Sequence, residues 1–272
     1  MPCATINGST FNYALDDFTD PWDPGPLVVF HHGYARNHHF WYEWVPLIGR
    51  KYRCLRFDIR GHGNSGPLGS NVEPTLEQLA DDVVGLLDHL RVERAHFVGE
   101  SLGGLVGMWL GAHHEERIES LVLLSTPVKV SDQGRADFSA GASSWESVFD
   151  TMAPAEWARQ TMGHRFDLQT TSEGYIDWAV KQAAATPVES LRKYARLIEA
   201  VDLSAGIPTV TPPTLLVAGG SKLAPPEQAR FLQDRIPGSQ LELIPQARHL
   251  VGYAMPARCA ELSQTFWAEL PG

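Results

Sequence analysis

The sequence predicts an α/β fold: a mainly parallel sheet covered by helices on both faces, with a helical segment inserted between its later strands. Three observations carry this. Short apolar runs bounded by Gly, Pro and Asp recur through the first half. Helical patterns separate them, and the alternation stops at Pro127 to resume at Pro213.

Residues 27–30, 52–57, 96–98 and 121–124 read as strands, apolar on both faces as a buried parallel sheet requires. Between the second and third, Leu76, Leu79, Val83, Leu86, Leu87 and Leu90 share one helical face, and Thr75 with Gln78 forms a capping box. Residues 128–207 carry helical stretches and spaced aromatics (Trp145, Phe149, Trp157, Phe166, Tyr175, Trp178, Tyr194), which read as a cap packed onto the core. After it, residues 214–218 and 241–244 read as two more strands around a helix at 226–235. The expected organisation is a core of residues 1–127 and 208–272 with a cap at 128–207.

The 272 residues carry 22 Lys and Arg against 32 Asp and Glu, a net charge of −10, with 43% apolar residues. A chain of this size buries a core without disulfides or structural metal. Its acidic balance, with no basic cluster, argues against nucleic acid as a partner. Cys3, Cys54 and Cys259 lie far apart without C-x-x-C spacing, which suits reduced thiols. No leader-like segment stands at residues 1–17, and no apolar run reaches the ~20 residues of a membrane span. The expectation is a cytoplasmic protein acting on a small molecule, with no membrane partner and with homo-oligomers left open.

The chemistry is carried by Gly99-Glu100-Ser101-Leu102-Gly103-Gly104, which follows a strand and opens a glycine-studded helix. In this G-x-S-x-G arrangement a sharp turn lifts the serine hydroxyl above the sheet edge. A serine needs a base within hydrogen-bond reach. Of the four histidines after Ser101, His113 and His114 end the elbow helix and His164 lies in the cap, leaving His249 after the last strand as the base. The developing oxyanion needs donors, expected from the backbone N–H of Leu102 and, in the loop His31-His32-Gly33-Tyr34, from that of Tyr34.

Two other patterns in the sequence resemble binding motifs. His31, His32, His38 and His39 crowd into nine residues, but neighbours on a strand point to opposite faces and no carboxylate pair completes a metal site. Residues 61–66 match G-x-G-x-x-G, yet Pro67, Gly69 and Pro74 delay the next helix, unlike a dinucleotide site. Neither a metal nor an organic cofactor is expected.

The string Phe57-Asp58-Ile59-Arg60-Gly61-His62-Gly63-Asn64-Ser65, the elbow, the cap position and the terminal His249 together resemble the α/β-hydrolase superfamily. Residues 76–83 and 93–99 resemble its 3-oxoadipate enol-lactonase branch. The resemblance implies the α/β-hydrolase fold and hydrolysis of a small carboxylic ester or lactone through a Ser101 acyl-enzyme. Relatives in the branch also cleave carbon–carbon bonds, so a carbon–carbon hydrolase or lyase, or a catalytically weak ligand-binding protein, are the alternatives.

The family pattern places the triad acid after strand 214–218, or sometimes after 121–124. The first loop reads Gly219-Gly220-Ser221-Lys222 and the second Ser125-Thr126-Pro127, neither with a carboxylate. Lys222 stands at about the acid's place, where it would bind a substrate carboxylate or turn to solvent. A relocated acid, Ser221 or a backbone carbonyl would then orient His249; the nearest downstream carboxylates are Asp132 and Glu227.

Overall fold

The computed structural model describes residues 2–207 and 209–270. Pro208, the first residue of the expected second core segment, lies outside the described residues, as do Met1, Pro271 and Gly272. The strands are β1 (Cys3–Ile6), β2 (Ser9–Asp16), β3 (Leu27–His31), β4 (Arg53–Phe57), β5 (Ala95–Glu100), β6 (Ile118–Leu124), β7 (Thr214–Gly219) and β8 (Gln240–Ile244). They form one sheet in the order β1-β2-β4-β3-β5-β6-β7-β8. From β4 through β8 every pairing is parallel; β1 and β2 join antiparallel at one edge.

That edge hairpin is not among the strands read from the sequence, although Asn7-Gly8 at its tip is a strong two-residue turn signal. Both residues have positive φ (48° and 74°). The central strands β3 and β5 are buried along their whole length, which explains their mainly apolar character, with His31, His96 and Glu100 as the buried exceptions. Each fully buried Val, Leu or Phe there contributes about 1.5–3 kcal/mol relative to exposure.

The helices are α1 (Trp44–Ile48), α2 (Leu76–Leu90), α3 (Leu102–His113), α4 (Asp132–Ser139), α5 (Pro154–Gln160), α6 (Met162–Arg165), α7 (Glu173–Ala184), α8 (Val188–Ala200), α9 (Pro226–Gln233), α10 (Val251–Ala254) and α11 (Pro256–Ala268). The Thr75 hydroxyl caps α2 by accepting from the Gln78 N–H. Helices α4 to α8 form the insertion between β6 and β7. Helix α8 holds it down: the buried Lys193 ammonium donates to the carbonyls of Gly69, Ser70 and Val72, and the Tyr194 hydroxyl to that of Arg60.

The chain runs from β3 to β4 on one side and returns to β5 on the other. The crevice at the carboxyl ends of β3 and β5 is therefore the topological switch point, where open α/β sheets place their sites. No helix among the described residues is long and apolar enough to cross a membrane.

Candidate active site

At the end of β5 the chain reverses through Ser101, held at φ 57° and ψ −109°, a conformation an L-residue adopts only under constraint. Its N–H donates to the Leu124 carbonyl at 2.8 Å. The elbow glycines are required by close approach: a Cβ on Gly99 would lie 2.3 Å from the Gly103 carbonyl oxygen, and one on Gly103 2.3 Å from that of His31. Strand, helix and neighbouring loop thus meet with no room for a side chain.

Ser101 Oγ lies 2.9 Å from Nε2 of His249, on the loop after β8. Both residues are buried. The loop carrying Tyr34 runs across the serine, where a Cβ on Gly33 would stand 3.4 Å from Ser101 Cβ. The Tyr34 hydroxyl donates to the Leu191 carbonyl of α8, tying this loop to the cap. Leu102 opens α3, so its backbone N–H belongs to the first helical turn, whose donors have no partner within the helix.

The other ring nitrogen of His249, Nδ1, lies 3.0 Å from the Ser221 hydroxyl. That hydroxyl oxygen also accepts the N–H groups of Leu223 and Ala224, each at 3.1 Å. Lys222 is exposed, one residue beyond the contact; its carbonyl accepts the Ser131 hydroxyl. Asp132 and Glu227, at the starts of α4 and α9, make no hydrogen bond to His249 among the described residues. Burial pushes the His249 pKa down to about 3, and the charges of Arg165 and Arg36 push it the same way. The imidazole is therefore neutral across the ordinary pH range.

Those two arginines are not among the residues picked from the sequence. Arg36 follows the Tyr34 loop; it stacks over Phe40 at 4.8 Å, and one guanidinium nitrogen donates to the Ala35 carbonyl. Arg165 ends α6 and lies over Phe138 and Trp157 at 4.6 and 4.5 Å. Phe138 stands edge-on to the His249 ring, 6.5 Å away. The Leu250 N–H donates to the Arg165 carbonyl. Both guanidinium groups are buried, and Nε and Nη2 of Arg36 and Nη2 of Arg165 lack a hydrogen-bond partner. Among the described residues neither arginine has an ion-pair partner. Glu100 is the nearby carboxyl: Oε2 accepts the Gly252 N–H, and burial pushes its pKa up, against the opposing pull of that N–H and of the Arg36 charge.

The crowded early histidines are each engaged separately. His31 Nδ1 donates to the His32 carbonyl, His32 Nδ1 to that of Gly33, and His32 Nε2 accepts the Ile59 N–H. His38 pairs with Asp58. In the 61–66 loop, a Cβ on Gly63 would stand 2.2 Å from an Asp58 carboxylate oxygen, so the glycine makes room for that carboxylate. A surface cleft of about 960 Å³ lies between α7 and the loop after β8, lined in part by Tyr175, Trp178, Arg248 and Tyr253; neither Ser101 nor His249 lines it.

Comparison with known proteins gives a consistent picture. Residues 26–253 match the profile of the alpha/beta hydrolase fold family. The chain is 26% identical to 3-oxoadipate enol-lactonase 1 of Acinetobacter baylyi over 242 residues, covering 89% of this chain and 88% of that protein. Among solved structures it is similar to a hydrolase from Pseudomonas aeruginosa (29% identity, TM-score 0.84, covering 98% of this chain and 97% of the other). It is similar also to the enol-lactonase from Burkholderia xenovorans (26%, TM-score 0.86, 98% and 100%).

Proposed function

The chain belongs to the α/β-hydrolase fold family, and from that premise we propose that it hydrolyses a small carboxylic ester or lactone through an acyl-enzyme on Ser101. The observation that carries this is the 2.9 Å contact between Ser101 Oγ and His249 Nε2 at a strained elbow over the switch point. In the reaction Oγ attacks the substrate carbonyl carbon while its proton passes to Nε2. The carbonyl oxygen becomes an oxyanion held by the backbone N–H groups of Leu102 and Tyr34. The alcohol part leaves with the proton from His249. Water, deprotonated by the same nitrogen, then attacks the acyl carbon; the bond to Ser101 Oγ breaks, the acid is freed and His249 returns the proton to Oγ. The lactonase relatives support this reading, and residues 128–207 serve it as the cap that excludes water.

The substrate carries a carboxylate in this reading. Two buried guanidinium groups with unused N–H donors and no counter-ion are a costly arrangement in an empty site. A carboxylate between Arg36 and Arg165 would satisfy them. It would also offset the two positive charges that depress His249, so binding and proton acceptance would reinforce one another. The exposed Lys222 is replaced in this role by the two arginines.

A fluorophosphonate probe tests the nucleophile. Labelling is expected at Ser101, and Ser101→Ala, folded by circular dichroism, is expected to lose labelling and at least about 10³-fold of ester turnover. Full turnover by that folded variant would overturn the assignment.

A further inference from the structure

We infer that Ser221 is a positioning residue that holds His249 in the tautomer with its proton on Nε2, the nitrogen facing Ser101. The argument is one of hydrogen-bond valence. A serine hydroxyl has two acceptor lone pairs and one proton to give. Both lone pairs of Ser221 Oγ are taken by the N–H groups of Leu223 and Ala224. Its third neighbour among the described residues is His249 Nδ1 at 3.0 Å. The hydroxyl therefore donates to Nδ1, which must be bare, and in a neutral imidazole the proton then sits on Nε2. Nε2–H in turn donates to Ser101 Oγ.

The consequence rests on the hydrolase reading above; the tautomer itself does not. A nitrogen already carrying a proton cannot take one from Ser101. Acylation first requires the proton to move from Nε2 to Nδ1, which turns Ser221 from donor to acceptor and displaces one of its two backbone partners. The imidazolium formed next finds no negative charge at Nδ1. A carboxylate at residue 221 would remove both obstacles: its two oxygens offer four lone-pair positions, enough for both backbone N–H groups and for Nδ1–H. The loop after β7 thus keeps a socket of N–H donors suited to an acid, filled by a hydroxyl that orients the histidine the opposite way.

The test begins with nitrogen-15 NMR of the histidine rings in the wild-type protein, assigned by loss of the His249 signals in His249→Gln. Expected are an unprotonated Nδ1 and a protonated Nε2; the reverse pattern would overturn the proposal without reference to turnover. Ser221→Asp is expected to invert the pattern and to raise kcat/KM on a neutral ester such as p-nitrophenyl acetate by about 10²-fold or more. An inverted pattern without a gain in rate would sink the consequence drawn for acylation. Should that variant not fold, Ser221→Ala serves: with the lock removed, kcat/KM on the neutral ester is expected at or above the wild-type value. A tenfold fall in folded Ser221→Ala would show the hydroxyl acting as the missing acceptor and overturn the proposal. Fluorophosphonate labelling of Ser101 separates these outcomes from failure of the hydrolase reading, because the wild-type ring pattern is read whether or not Ser101 reacts.

Discussion

Two buried histidines of this protein stand in opposite settings. His38 has a carboxylate: Asp58 accepts its ring Nδ1–H at 2.7 Å and its backbone N–H at 2.8 Å, while the second oxygen accepts the Asn12 amide and the Asn64 N–H. Burial alone would raise the Asp58 pKa, but the His38 hydrogen bond and the charges of His38 and His32 outweigh it and hold the carboxyl well below its usual range. His249 has a hydroxyl instead, and two uncompensated cations. The chain therefore places a histidine–carboxylate pair, with both carboxylate oxygens hydrogen-bonded, where it fastens the 37–41 turn to the end of β4. It leaves without one the histidine that touches Ser101. A buried carboxylate beside a histidine is a structural fastener as readily as a catalytic device, and only the third partner tells them apart.

The largest effect expected from this contrast is on stability. Asp58→Asn keeps the shape but places an amide among donors that need an acceptor, so at least one buried N–H loses its partner. Breaking a buried pair in this way costs about 3 kcal/mol or more, which for a chain of this size lowers Tm by roughly 10 °C. Thermal and urea unfolding check it. An unchanged midpoint would mean that the Asp58 network carries no net stabilisation and that the contrast with His249 is one of appearance.

The sequence made the central sheet legible because β3, β5, β6 and β7 are buried on both faces, and apolar runs leave few other readings. Ser101 was legible for a different reason: close backbone approach at the elbow demands glycine on both sides, and such steric demands leave a spaced pattern. His249 followed by position, being the one late histidine after a strand. The partner of His249 fell between Ser221 and Lys222, because the turn after Gly219-Gly220 decides which side chain faces inward and one residue reverses the answer. The glycine pair itself reflects crowding: a Cβ on Gly219 would lie 2.3 Å from the Arg248 carbonyl oxygen. Arg36 and Arg165 left no local signal. An arginine is ordinarily a surface residue, and only burial without an ion-pair partner, a property of the folded molecule, marks these two. The edge hairpin did have a signal in Asn7-Gly8, and its partly exposed strands lack the apolar runs that identify the others.

The cations sharpen the comparison at the next level. Arg165→Gln keeps a long polar side chain over Phe138 and removes the charge. For an ester bearing a free carboxylate, kcat/KM is expected to fall by about 10- to 100-fold, the weight of one charge-assisted hydrogen bond. For the matching neutral ester it is expected to hold or rise slightly, since one of the charges that depress His249 is gone. Paired kinetics on the two esters measure the difference. Equal losses on both would assign Arg165 to packing of the cap and remove the carboxylate from the proposed substrate.

The smallest expected effect belongs to Lys222, and its smallness is informative. Sequence position alone puts this lysine beside His249; the fold turns it outward, with Ser221 making the ring contact. A cation in solvent is screened by water and salt, and removing it has little to act on. Its charge acts on His164 of α6, itself paired with Asp137. Lys222→Ala is therefore expected to change kcat/KM by less than about twofold on acidic and neutral esters alike, the range of an exposed substitution. A selective rise in KM for the acidic ester would mean that the loop after β7 reorganises on binding and brings the ammonium inward. The socket of N–H donors around Ser221 would then be a property of the empty site alone, and the contrast between the two histidines would have to be redrawn for the loaded enzyme.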